Sequence, residues 1–137
     1  MGIAIIRNKE INDALDIKYR QYLAGKLMYP QEEMDPIESD IEVGISDYKT
    51  FMAEKPHVHP IANEFNFVLE GELKIWLLDS GEKFSFKKGD FFRLEPGTPY
   101  ASKSTGGTRV LFFKVPGGND KKLVDVDEEV KNWLSEF

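Results

Sequence analysis

From Ile41 onward the amino-acid sequence predicts an all-β domain, a sandwich or barrel, with a helix and an arm before it and a short helix after it. Two observations carry this expectation. Apolar runs of roughly four to eight residues are closed again and again by turn residues, the mark of many short strands. At either end of that region the apolar spacing changes to the helical period.

At the N-terminal end, Ile11, Ala14, Leu15, Tyr19, Tyr22 and Leu23, with the stem of Lys18, recur at helical spacing. A helix is therefore expected from Asn8, as its cap, to Ala24, with Gly25 ending it. Pro30, Pro36 and a cluster of Glu and Asp between Tyr29 and Asp40 resist regular structure and are expected to wrap the outside as an arm. Turns at Glu70-Gly71, Asp79-Ser80-Gly81, Lys88-Gly89-Asp90, Pro96-Gly97-Thr98-Pro99, Gly106-Gly107 and Pro116-Gly117-Gly118 divide the strands. From Asp125 to Phe137, the side chains of Val126, Val130, Trp133, Leu134 and Phe137 share one helical face, so a terminal helix should dock there. Residues 1–40, 41–118 and 119–137 then form helix and arm, barrel, and C-terminal helix of one domain.

The 137 residues are 41% hydrophobic, enough to bury one core and too few for two comfortable ones. The net charge of −6 and the lack of a basic stripe argue against nucleic acid as a partner. With no cysteine, disulfides, thiolate nucleophiles and sulfur-ligated metal sites are excluded. The longest apolar runs fall far short of the roughly 18 residues of a membrane-spanning helix, and the opening residues lack the features of a signal peptide. The expectation is a cytoplasmic protein without a membrane partner.

Both histidines of the chain, His57 and His59, stand one residue apart at the start of the strand-rich region. On extended backbone, residues i and i+2 point to one face, so the two imidazoles should aim at one point, an arrangement suited to a metal ion. Glu64 and Gly71 follow in the pattern His-x-His-x4-Glu-x6-Gly, which random placement would produce in only about two of ten thousand trials. On these residues the sequence resembles the cupin superfamily, whose first motif has this spacing. Gly89 to Tyr100 is similar to the second motif, a Gly, five residues, a Pro-Gly turn and a histidine, except that Tyr100 stands in the last place. The resemblance spans about Ile41 to Val115. It implies the cupin double-stranded β-helix, a jelly-roll barrel. It also implies that His57, His59 and Glu64 are the metal ligands, with Tyr100 where a fourth ligand would be.

Passing from His59 to Glu64 reverses strand parity, so both face inward only if the Pro60–Asn63 stretch turns or bulges. Asn66 and Val68 would then line the cavity, while Phe65, Phe67 and Leu69 point outward and need a cover. Part of that cover is expected from the N-terminal helix and arm and the rest from a second copy, which makes the protein a homodimer.

Two imidazoles and one carboxylate leave a divalent ion such as Fe, Zn, Ni or Mn with open positions. A phenol, whose ordinary pKa is about 10, is a weak ligand, so Tyr100 is assigned a catalytic part acting on substrate. Asn66 and Arg93 are candidates for substrate binding; Tyr48, Trp76 and Lys114 could also turn inward by alternation. Three functions follow. The first is a metal-dependent enzyme acting on a small polar molecule, and the resemblance admits dioxygenases, decarboxylases, isomerases and cyclases. The second, implied by the resemblance to cupin-like sugar epimerases and ketoisomerases, is a metal-free epimerase or isomerase of a nucleotide-linked sugar, with His59 and Tyr100 exchanging protons. The third is a cavity that binds a small ligand without turnover.

Overall fold

The computed structural model describes residues 2–137. Strand alternation sets the architecture. In Thr108–Val115 (β10) the side chains of Thr108, Val110, Phe112 and Lys114 are buried and those between them are not. This strand pairs antiparallel with Glu42–Tyr48 (β2) on one side and with Asn63–Glu70 (β5) on the other. Arg20–Ala24 (β1) and Phe91–Leu94 (β8) complete a sheet in the order β1-β2-β10-β5-β8. The facing sheet contains His57–Val58 (β4), Glu72–Leu77 (β6), Lys83–Lys87 (β7), Tyr100–Ser104 (β9) and Lys122–Leu123 (β11), in the order β11-β4-β9-β6-β7. Met52–Ala53 (β3) pairs with β9. The two antiparallel sheets close face to face as a double-stranded β-helix, with one helix near each end of the chain: Asn8–Ile17 (α1) and Glu128–Leu134 (α2).

The barrel interior is divided. Val68, Leu73, Ile75, Leu94, Tyr100 and Val110 form a buried apolar cluster, with Leu77, Phe86 and Phe92 packed against it. Along the paired strands β5 and β10 the inward residues pass from Val68 opposite Val110, through Asn66 opposite Phe112, to Glu64 opposite Lys114. The apolar end drives closure by removing hydrocarbon from water, and the polar end leaves a cavity. Gly44 lies opposite Phe112 because a Cβ there would stand 2.1 Å from its ring. Gly71 makes the β5–β6 hairpin at φ +82°, and a Cβ there would stand 2.6 Å from the Thr108 backbone.

The expected helix from Asn8 to Ala24 is half right. It ends at Ile17, and Arg20–Ala24 is a strand, with Arg20 opposite Ser46 and Tyr22 opposite Gly44 on β2. The local spacing fitted a helix, but hydrogen bonding to the exposed edge of β2 decides the matter, as tertiary context commonly does for short segments. Nor is Asn8 the cap: Arg7 holds that position without a side-chain bond, and Gly25 follows the end of β1. The segment after it is irregular and wraps β1, as expected. The Gln31 amide bonds the Tyr22 backbone on both sides at 2.9 and 2.7 Å, and Met34 is buried.

The C-terminal helix is shorter than its apolar spacing predicted. Asp127 caps it by accepting from the Val130 N–H at 3.1 Å. Val130 packs with Trp76 and Ala101, and Trp133 meets Trp76 edge to face. Trp76 therefore lies under this helix, outside the cavity. Lys103 and Lys74 donate to the carbonyls of Glu136 at 2.7 Å and Phe137 at 3.0 Å, satisfying acceptors beyond the last turn.

Candidate functional site

His57 begins β4 and pairs with Tyr100 at the start of β9, which brings the end of the second motif to the first. Both imidazoles are buried, their centroids 5.1 Å apart, and the His57 ring lies 4.6 Å from that of Tyr100. The Nδ1 of His57 is 2.7 Å from the Lys55 carbonyl oxygen. A carbonyl can only accept, so that nitrogen carries the proton and Nε2 is left with its lone pair. Burial pushes the His57 imidazolium pKa down, and the Lys121 cation adds to this.

The chain turns at Pro60 and Ile61 before β5 begins, and the turn is held by a residue far away in sequence. One oxygen of Asp120 accepts from the N–H groups of Ile61 and Ala62, both at 2.9 Å; the other is 2.8 Å from His59 Nδ1. Burial alone would raise the Asp120 pKa, but the Ala62 and Ile61 amides and His59 outweigh it and hold the carboxyl below the usual range. Asp120 is thus an acceptor, and His59 presents its Nε2 to the cavity. The same turn resets the strand parity, and Glu64 faces inward with Oε1 3.6 Å from His59 Nε2.

The other Glu64 oxygen accepts from the Tyr100 hydroxyl at 3.0 Å and from the Asn66 amide at 3.3 Å. Tyr100 does not bond His59. Burial first, and the Glu64 and Glu54 carboxylates next, push the Tyr100 pKa well above its ordinary value. The phenol keeps its proton. Among the described residues no three His, Cys, Asp or Glu side chains form a ready ligand cluster. The donor chemistry still fits a divalent ion. Two imidazoles have their Nδ1 atoms tied to oxygen atoms, the outer arrangement that orients metal-bound histidines, and His59 Nε2 faces a carboxylate oxygen beyond hydrogen-bond distance.

These groups line a cavity of about 130 Å³. Its wall also carries Arg20, Tyr48, Glu54, Lys114 and Lys121. Arg20 donates to Ser46 Oγ and to the Tyr48 hydroxyl, both at 2.9 Å, and pairs with Glu54; Tyr48 donates to Glu54 at 2.7 Å. Burial works against the Glu54 charge, but Arg20 and Tyr48 hold its pKa down to about 2. Of the residues singled out in the sequence, His57, His59, Glu64, Asn66, Tyr100, Tyr48 and Lys114 meet here. Arg93 does not. Phe92 and Leu94 take the inward positions of β8, so Arg93 points out and pairs with Glu95 at 2.6 Å. Arg20, Glu54, Asp120 and Lys121 were missed by sequence reasoning; none of them falls in a local motif.

Two imidazoles, a carboxylate and a phenol thus converge on the internal cavity of a closed double-stranded β-helix. The family profile of the cupin domain matches residues 49–116. The chain belongs to the cupin superfamily. It is 40% identical over 63 residues to a germin-like protein (subfamily 2 member 1) of Arabidopsis thaliana, a match covering 44% of this chain and 29% of the relative, so under a third of that relative's length is spanned. Among solved structures it is similar to a double-stranded β-helix protein of unknown function from Klebsiella pneumoniae, at TM-score 0.54 and 21% identity over 64% of this chain and 76% of the other. The DMSP lyase DddQ of Ruegeria pomeroyi gives TM-score 0.58 at 21% identity, over 77% of this chain and 49% of the lyase. KdgF of a Halomonas species gives 0.52 at 17%, over 74% and 80%. At these identities the structural likeness establishes the fold.

Proposed function

We propose that His57, His59 and Glu64 hold a divalent metal ion of the Fe, Zn, Ni or Mn type, and that the cavity binds and transforms a small polar molecule beside it. The observation that carries this reading is the approach of His59 Nε2 to Glu64 Oε1 at 3.6 Å, with the Nδ1 atoms of both imidazoles held by oxygen atoms on the far side. An imidazole nitrogen and a carboxylate oxygen at that separation are ligand types that one divalent ion can take together. The ion would supply Lewis-acid polarisation of a bound oxygen. Tyr100, kept protonated by burial and by Glu64, is a proton donor whose ring lies 4.6 Å from that of His57, and Asn66 orients Glu64. The cavity of about 130 Å³ holds only a few waters and suits a correspondingly small ligand. That size supports a small molecule over a nucleotide-linked sugar.

Metal content tests the proposal. Protein prepared without a His tag, loaded in turn with each of the four ions and then dialysed, should retain close to one ion per chain with at least one of them. The His57→Ala/His59→Ala variant should retain none. Equal retention by the variant, or none by the wild type with any ion, refutes the assignment.

Two copies of the chain pair through the outer face of β5 and β8 in this proposal. Phe65 stacks on Phe91 at 6.0 Å, Phe91 is 58% exposed, and α1 packs on β1 instead of covering them. Light scattering should give twice 15.7 kDa for the wild type and a smaller particle for Phe91→Ser; a monomeric wild type at high concentration contradicts the pairing.

A further inference from the structure

The cavity wall carries one cation that the protein itself leaves unanswered. Arg20 is paired with Glu54, and Lys114 with Glu42 at 3.5 Å. Among the described residues Lys121, an exposed residue that also lines this cavity, has neither an ion pair nor a hydrogen bond. Burial of part of its side chain, with Arg20 and Lys114 near by, pushes its pKa down against the pull of Glu54 and Glu64. Lys121 follows directly on Asp120, which is anchored to the Pro60 turn, so its backbone is fixed at the cavity mouth.

Arg20 is also only partly used. Its Nε is held by Ser46, and one terminal nitrogen is held by Tyr48 and Glu54. The guanidinium lies 5.4 Å from the Tyr19 ring centroid and 5.6 Å from that of Phe112. Its other terminal nitrogen has no protein hydrogen bond among the described residues. A planar donor already locked in place loses little freedom when it binds an acceptor.

We infer that the molecule bound in this cavity is a small organic acid, whose carboxylate is received by Lys121 and the uncommitted nitrogen of Arg20. This deepens the proposed function and rests on its reading of the cavity as the binding site. A single unanswered cation matches a single negative charge. A phosphate, with more charge, would bring repulsion from Glu54 and Glu64 in the same wall. The cavity volume of about 130 Å³ also favours a small ligand.

The test uses butyrate and butyramide, which share shape and differ in charge, with inorganic phosphate as a third probe. Binding to the full chain is followed by chemical-shift perturbation, first on chelator-treated and dialysed protein and then after reloading with zinc. Butyrate should bind saturably in the millimolar range and butyramide at least tenfold more weakly. Lys121→Gln should lose at least tenfold in butyrate affinity, Lys121→Arg should recover most of it, and Lys88→Gln, on an exposed lysine paired with Glu70, should change nothing. Equal binding of butyramide, preference for phosphate, no saturable butyrate binding, or an unaffected Lys121→Gln each overturns the inference. Because the first arm is metal-free, butyrate binding in a protein that retains no ion supports the acid pocket while refuting the metal centre. Metal retention without butyrate binding does the reverse.

Discussion

Replacing Glu54 with glutamine removes the counter-charge of Arg20 in the cavity wall of the barrel. The Arg20 and Glu54 side chains are 23% and 16% exposed, so water screens the pair only in part. Breaking such a pair from one side leaves an uncompensated charge and costs about 3–5 kcal/mol when burial is complete; the residual exposure points to the lower end, about 3 kcal/mol. A second route gives a similar size. Glu54 is held to about 2 from an ordinary 4.5, and each unit corresponds to about 1.4 kcal/mol between protonation states. Because the folded pKa is depressed, this stability is present above pH ~4.5 and is lost as pH falls toward ~2. Urea melts of wild type and Glu54→Gln at a series of pH values measure it directly. The difference should be about 3 kcal/mol at pH ~7 and should shrink through the acid window as the wild type becomes protonated. A difference below about 0.5 kcal/mol at neutral pH, or one that does not change with pH, would refute the reasoning.

Asp120→Ala should weaken metal retention by about 10–100-fold, because it frees the ring of His59 and the Ile61–Ala62 turn together; a titration with a competing chelator reads this. Gly71→Ala should cost at least about 2 kcal/mol, since the residue sits at φ +82° and its Cβ would meet the Thr108 backbone at 2.6 Å; a denaturant melt is sufficient. Trp133→Ala should loosen the C-terminal helix by about 3 kcal/mol, through lost packing on Trp76 and a lost ring over Lys103, and hydrogen exchange should show residues 128–134 opening first.

The barrel was legible because its signals are local. Turn residues at short intervals marked the strands, and two-residue alternation placed Glu64, Asn66 and Val68 on the inner face. The spacing of His57, His59, Glu64 and Gly71 lies within one hairpin region, so a linear pattern could describe it. What was not legible depends on partners distant in sequence. The Arg20–Ala24 segment carries apolar residues compatible with either period, and the free edge of β2 selects the strand. Asp120 lies 61 residues from His59, with no spacing to announce it. Arg20, Tyr48 and Glu54 come from separate segments, and only closure of the barrel makes them a unit. Arg93 is a different kind of miss. The apolar Phe92 and Leu94 on either side of it already argued, by alternation, that it faces out.

One ion is expected where His57, His59 and Glu64 converge in the barrel. Crystals of metal-loaded protein, measured at the absorption edge of the retained ion, locate it without reference to activity. The expected result is a single anomalous peak bonded to the Nε2 atoms of His57 and His59 and to the Glu64 carboxylate. A peak elsewhere, or none at that point in crystals of protein that carries one ion per chain in solution, would contradict the assignment.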